Sequence, residues 1–179
     1  MFMFKKFTSA ICLLTIIFVA ACTVSQEDGP SLGIPVSQQQ ISEFDLIVGS
    51  DGVALPPGSG SAADGEAVYR AKCQSCHGAE GEGLSGATVL VGGSMQSEGP
   101  PLRTVGSYWP HDTTVFDFIR RAMPANAPKS LTDTEVYQAT AYVLFLNEII
   151  SRDMILNRQN LPDISMPNRD GFIDQSSIQ

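Results

Sequence analysis

The sequence predicts an all-α domain of three or more helices joined by long loops. Three observations predict it. Helical apolar periodicity recurs in three stretches, and no alternating pattern is long enough to build a sheet. The motif Cys73-Gln74-Ser75-Cys76-His77 follows directly on the first of those helices and opens a glycine-rich stretch. The chain has 179 residues, enough for one domain with a targeting segment and a tail. Hydrophobic residues at 43% and charged residues at 17% are globular proportions. Eleven Lys and Arg against nineteen Asp and Glu give a net charge of -8, which excludes a nucleic-acid surface and favours a partner with a basic face.

Lys5 and Lys6 precede an uncharged run from Phe7 to Ala21, too short and too early for a membrane span, so residues 1–21 read as a signal peptide. Val19-Ala20-Ala21-Cys22 resembles a bacterial lipoprotein signal, in which cleavage leaves an acylated Cys22 at the N-terminus. An ordinary secretory signal with an incidental Cys22 is the alternative, and both place the protein outside the cytoplasm. Losing Lys5 and Lys6 leaves nine cations against nineteen anions in the mature chain. Residues 22–61 read as a tether and an extended segment, in which a few apolar residues of Ile41–Val48 pack on the domain. The domain itself spans 62–150. Its first helix covers about Ala62–Lys72, with Ala67, Val68 and Ala71 as a small apolar stripe. Residues 78–110 hold eight glycines and three prolines and read as loop. The second helix covers about Thr113–Ala122 and stops at Pro124. The third starts behind a Thr132/Glu135 capping box and runs to about Ile150, burying Val136, Ala139, Tyr142, Val143 and Leu146 on one face. Residues 151–179 form a C-terminal arm, too polar for core.

Cys12 lies in the leader and Cys22 at the lipid site, so Cys73 and Cys76 are the two thiols left for other chemistry. With His77 they form the c-type haem attachment pattern: two thiols reach the two vinyl groups of one haem, and the adjacent imidazole comes under the iron. A disulfide or thioredoxin-like pair would leave His77 unexplained. A zinc site completed by His111 would need adjacent Cys76 and His77 to share one tetrahedral ion. The candidates for the sixth iron ligand are Met95, Met123, Met154, Met166 and His111. Met123 fits best, because it follows the Val115, Phe116, Ile119 helix and is freed by Pro124 to point inward. Arg103, Tyr108 and Trp109 lie where a wrapping loop can offer donors to haem propionates. Arg103 is otherwise a solvated charge and Trp109 plain core. Arg120 and Arg121 either face a partner or close their helix favourably.

Cys73 to His77, Gly65 and Tyr69 on the preceding helix, Met123-Pro124, and Ala141-Tyr142 on the last helix resemble a class I cytochrome c. The resemblance implies that fold, with the first and last helices crossing closely at Gly65, Tyr69 and Tyr142. Leu55-Pro56-Pro57-Gly58-Ser59-Gly60, Val105-Gly106-Ser107-Tyr108-Trp109-Pro110, Arg120 to Pro124, Leu131-Thr132-Asp133 and Met166 to Phe172 are similar to the cytochrome c subunits of bacterial sulfite and sulfane dehydrogenases. That resemblance implies a monohaem electron acceptor for a separate molybdenum-cofactor subunit, passing electrons to a downstream cytochrome c or oxidase. The resemblance implies an electron-transfer subunit that is not catalytic alone and to which no catalytic residue is assigned. The single Cys-x-x-Cys-His favours the sulfite-type arrangement, and the lipobox a complex held at the periplasmic side of a membrane. Bis-ligation by His77 and Met123 leaves no open iron position and favours a comparatively high potential. A lipid-anchored carrier that serves an oxidase alone, and a catalytic haem protein with Met123 displaced, are the competing classes.

Overall fold

The computed structural model describes residues 32–84, 89–96, 98–173 and 175, so the expected signal peptide and Cys22 lie outside the described residues. Residues 38–179 form one compact unit, and residues 1–37 another, of which 32–37 are described. The helices are α1 (Gln38–Phe44), α2 (Ala62–Lys72), α3 (Gln74–His77), α4 (Val105–Tyr108), α5 (Asp112–Ala122) and α6 (Asp133–Leu146). Two three-residue strands, β1 (Ser59–Ser61) and β2 (Ile155–Asn157), pair antiparallel with Gly60 opposite Leu156. A 3-10 turn at Leu161–Asp163 follows.

Local chemistry starts the two main helices. At α2 the Ser61 hydroxyl accepts the Asp64 N–H at 3.2 Å, while the Asp64 carboxylate accepts from the Ser61 backbone and hydroxyl. At α6 Thr132 and Glu135 make the same reciprocal pair, and the hydrogen bonds from Thr132 hold the Glu135 carboxyl below its ordinary range. The two helices cross at Gly65, where a Cβ would run into the Gln138 carbonyl and come within 3.0 Å of Tyr142 Cβ. The missing side chain therefore sets the distance of the crossing. Tyr69, fully buried, packs its ring 5.0 Å from that of Tyr142, the contact expected from the sequence.

The central helix α6 is buried from Val136 to Leu144 over more than one face, because α2 and β1 cover one side and α5 another. Phe116 of α5 stacks 4.5 Å from the Tyr137 ring, and Tyr137 donates to the Pro56 carbonyl at 2.9 Å. This helix is shorter than its periodicity suggested. Asn147 takes the Val143 carbonyl with its side-chain amide at 2.8 Å, and Glu148 turns left-handed at φ 59°, so the chain leaves the helix four residues early. The C-terminal segment is also more deeply used than its polarity implied. Leu156 and Leu161 are fully buried, and Ile164 and Met166 join the same core. Their irregular spacing follows a strand, a turn and a coil, so neither helical nor strand periodicity reveals them.

Candidate haem-binding site

The attachment motif sits at a break between two helices. Cys73 closes α2 with its N–H on the Tyr69 carbonyl at 2.8 Å, then opens α3 with φ -121° and ψ -40°. That change of direction puts Cys76 and His77 on a fresh turn, their N–H groups donating to the Cys73 carbonyl at 3.1 and 3.0 Å. The next residues lock the turn from behind. Gly83 N–H donates to the His77 carbonyl at 2.7 Å, Leu84 N–H to the Cys76 carbonyl at 3.1 Å, and the Tyr69 hydroxyl to the Gly78 carbonyl at 3.0 Å. Gly78 has φ 83°, and any Cβ there would strike the Glu82 carboxylate. The Glu82 backbone N–H and that of Glu80, the latter at 2.8 Å, donate to that carboxylate and hold its pKa below the usual range. Glu82 was not singled out from the sequence; the only signal for it is its place among Gly78, Gly81 and Gly83.

Cys73 and Cys76 are both unbridged, Cys73 half-buried and Cys76 exposed. Burial, reinforced by Cys76, pushes the Cys73 thiol up to about 11. Among the described residues no three His, Cys, Asp or Glu side chains converge on a common point, so the zinc alternative has no ligand set there.

Downstream, the loop is tied to the helices at several points. Leu90 donates to the Gly81 carbonyl at 2.8 Å, and its own carbonyl accepts from Val105 N–H and the Asn147 amide, each at 3.2 Å. Thr104 and Ser107 cap α4 reciprocally, and the Thr104 hydroxyl donates to the Gly92 carbonyl at 2.5 Å. The Thr-x-x-Ser spacing was the readable signal for this short helix inside the stretch expected to be loop. The Arg103 guanidinium lies 5.1 Å over the Tyr108 ring, Tyr108 meets Phe172 edge-on at 5.3 Å, and Trp109 meets Phe118 edge-on at 5.7 Å. Met123 is half-buried at the end of α5, extended at φ -114°, with its N–H on the Ile119 carbonyl at 3.1 Å. Both α2, which leads into Cys73, and α5, which ends at Met123, pack on α6.

The chain matches the family model for cytochrome c oxidase, cbb3-type, subunit III over residues 60–143. It is 35% identical over 83 residues to a thiosulfate dehydrogenase of Allochromatium vinosum, a match that covers 45% of this chain and spans 29% of that protein's length. Among solved structures it resembles the sulfane dehydrogenase SoxCD from Paracoccus pantotrophus with a TM-score of 0.76 and 37% identity, covering 82% of this chain and 74% of that one. The chain belongs to the cytochrome c family. Its mainly helical architecture is the class I cytochrome c fold expected from the sequence.

A cytochrome c domain implies haem c, and the residues present fit it. Two unbridged thiols three positions apart and an imidazole beside the second lie on one locked turn, and Leu84, tied to that turn, leaves its side chain 47% exposed. The structure also places neighbouring candidates. His111, a ligand candidate from the sequence, occupies the N-cap position of α5, half-buried, with Nδ1 buried and unpartnered. Met166 is only 2% exposed and belongs to the core, so it is spent on packing. Arg120 pairs with Asp133 at 3.0 Å and donates to the Leu46 carbonyl at 3.2 Å, and Arg121 pairs with Asp117, so both arginines are engaged within the cytochrome. No helix among the described residues is long and apolar enough to cross a membrane.

Proposed function

We propose that this cytochrome is the electron-accepting subunit of a periplasmic dehydrogenase whose separate molybdenum-cofactor subunit oxidises sulfite or sulfane sulfur. The observation that carries this reading is the 37% identity to the sulfane dehydrogenase structure over 82% of the chain, together with the locked Cys73–His77 turn inside residues 60–143 that the cytochrome family model matches. One haem c, attached through Cys73 and Cys76 and ligated by His77 and Met123, supplies a one-electron centre between ferric and ferrous iron. The chain's own residues keep that centre fixed. The hydrogen bonds from Gly83, Leu84 and Tyr69 hold the His77 turn, and the α5–α6 packing holds the Met123 end, so little rearranges with oxidation state. Arg103, Tyr108 and Trp109 provide donors and aromatic cover for the propionate side. Oxidation of sulfite to sulfate, with water supplying the oxygen atom, releases two electrons and two protons, so the subunit relays the electrons singly to a downstream cytochrome c or oxidase. Acylation at Cys22 holds the complex on the periplasmic face of a bacterial membrane.

Purification of the native complex in mild detergent tests the assignment. One molybdenum and one covalently bound haem per heterodimer are expected. A lone cytochrome with no molybdenum in any co-eluting fraction contradicts it.

A further inference from the structure

The loop that closes behind His77 is a glycine-rich turn tied together by one side chain. Gly78, Gly81 and Gly83 take left-handed φ angles of 83°, 75° and 78°. A stretch with that much conformational freedom does not hold one shape by itself. Its carbonyls are anchored from outside: the Tyr69 hydroxyl donates to Gly78 at 3.0 Å, and the N–H groups of Leu90 and Val91 donate to Gly81 at 2.8 and 3.2 Å. Its N–H groups have an internal partner. Glu82, although exposed, folds its carboxylate back over the turn, where Oε2 accepts the Glu80 N–H at 2.8 Å. The space that a Cβ on Gly78 would need is filled by both oxygens of that carboxylate. Its own N–H, that of Glu80 and, more weakly, that of Ala79 hold its pKa below the usual carboxylate range, the signature of an anion seated in a nest of backbone donors.

An exposed glutamate that only solvates the surface points into water and leaves the backbone alone. Glu82 does the opposite, and the turn it ties reaches the attachment motif. Gly83, the next residue, donates its N–H to the His77 carbonyl at 2.7 Å, and Leu84 donates to the Cys76 carbonyl at 3.1 Å. Those bonds fix the backbone from which the imidazole projects. Groups that orient a ligating histidine tune the metal it holds, and second-sphere hydrogen bonding is one of the protein's levers on a haem.

We propose that Glu82 is a positioning residue for the haem's axial imidazole: its carboxylate, bonded to the 79–82 backbone, holds the Gly78–Gly83 turn and through it the orientation of His77. This rests on the reading above of His77 as an iron ligand. The test uses the full chain, matured with its haem and solubilised in mild detergent, as wild type and as Glu82→Gln, Glu82→Asp and Glu82→Ala. Gln keeps the reach and an acceptor oxygen without the charge, Asp keeps the charge but falls a methylene short, and Ala removes both. The readouts are the hyperfine-shifted haem methyl and axial imidazole resonances of the ferric protein, which follow the orientation of the ring, with the reduction potential beside them. Glu82→Gln is expected to keep the wild-type resonance pattern, while Glu82→Asp and Glu82→Ala share a displaced one, and Asp shifts the potential although its charge is unchanged. If Glu82→Ala fails to mature, the Gln and Asp variants carry the same contrast. A wild-type pattern in Asp with a displaced one in Gln overturns the proposal, since Glu82 then acts by charge alone. Unchanged resonances in every variant overturn it too, even where the unfolding midpoint falls, because the residue is then merely structural. A wild-type chain that yields its haem to acidified butanone, and so holds none covalently, overturns the haem reading and the proposal together.

Discussion

Gly65 is the position at which a single methyl group has the largest expected effect on the fold. Gly65→Ala forces α2 away from the Gln138 carbonyl, and overpacking of this kind costs about 1–3 kcal/mol. Chemical denaturation of the holoprotein checks it, and an unchanged midpoint contradicts the crossing described above. Asp112 governs a pH effect. Its side chain is 1% exposed, Oδ2 has no partner, and burial, opposed by the Thr113 N–H, raises its pKa from 3.8 to about 7. The folded protein therefore binds this proton more tightly than the unfolded chain. Its stabilising contribution is complete below about pH 4 and is lost as pH rises through about 7. Asp112→Asn should flatten that part of the profile and stabilise the protein at pH 8 by roughly 1–3 kcal/mol; parallel stability profiles for the two proteins would show that Asp112 is already ionised in the fold. Met123→Ala should abolish the weak far-red charge-transfer band of the ferric protein and let the ferrous protein bind carbon monoxide. Survival of the band assigns the sixth ligand elsewhere. At this scale the Cys73–His77 motif was legible because Cys-x-x-Cys-His carries its own chemistry, and the structure shows it as one locked turn with both thiols unbridged. Asp112, Glu82 and Asn147 were not, since each acts through a backbone group or burial that spacing does not encode.

The starts of α2 and α6 and the ends of α2 and α5 lie where the sequence puts them, and the end of α6 does not. The Ser61/Asp64 and Thr132/Glu135 boxes place the beginnings of α2 and α6 where the sequence puts them, because a cap is a local bond between residues three apart. Removing one by Thr132→Ala should lower stability by about 1 kcal/mol with no change in the haem spectrum, measured by thermal unfolding of the holoprotein. The end of α6 depends on Asn147, whose amide binds both Val143 of its own helix and Leu90 fifty-seven positions away, and that second partner belongs to tertiary structure. α4 carries a local Thr104/Ser107 cap as well, and the Thr104 hydroxyl further anchors it on Gly92 across the loop. The loop expected from glycine content is real in its backbone but is tied to α4 and α6 by hydrogen bonds that composition does not show.

Over the described residues, most charge lies outside the core, with Asp112 and Asp117 buried within it. The core gathers α2, α5 and α6 together with Leu156, Leu161, Ile164 and Met166 from the C-terminal segment, so the arm stabilises the domain it follows. Asn168 donates to the Tyr108 carbonyl at 2.7 Å and Phe172 packs on the Tyr108 ring, which links that segment to the loop proposed to face the propionates. The central claim is that electrons released from a sulfur substrate at molybdenum reach this haem. Rapid mixing of the oxidised native complex with sulfite, followed at the ferrous α-band, tests it directly. The account predicts full reduction within the turnover time of the complex, and none in the cytochrome separated from its partner. A haem that stays ferric while the molybdenum subunit turns over with an artificial acceptor would contradict it.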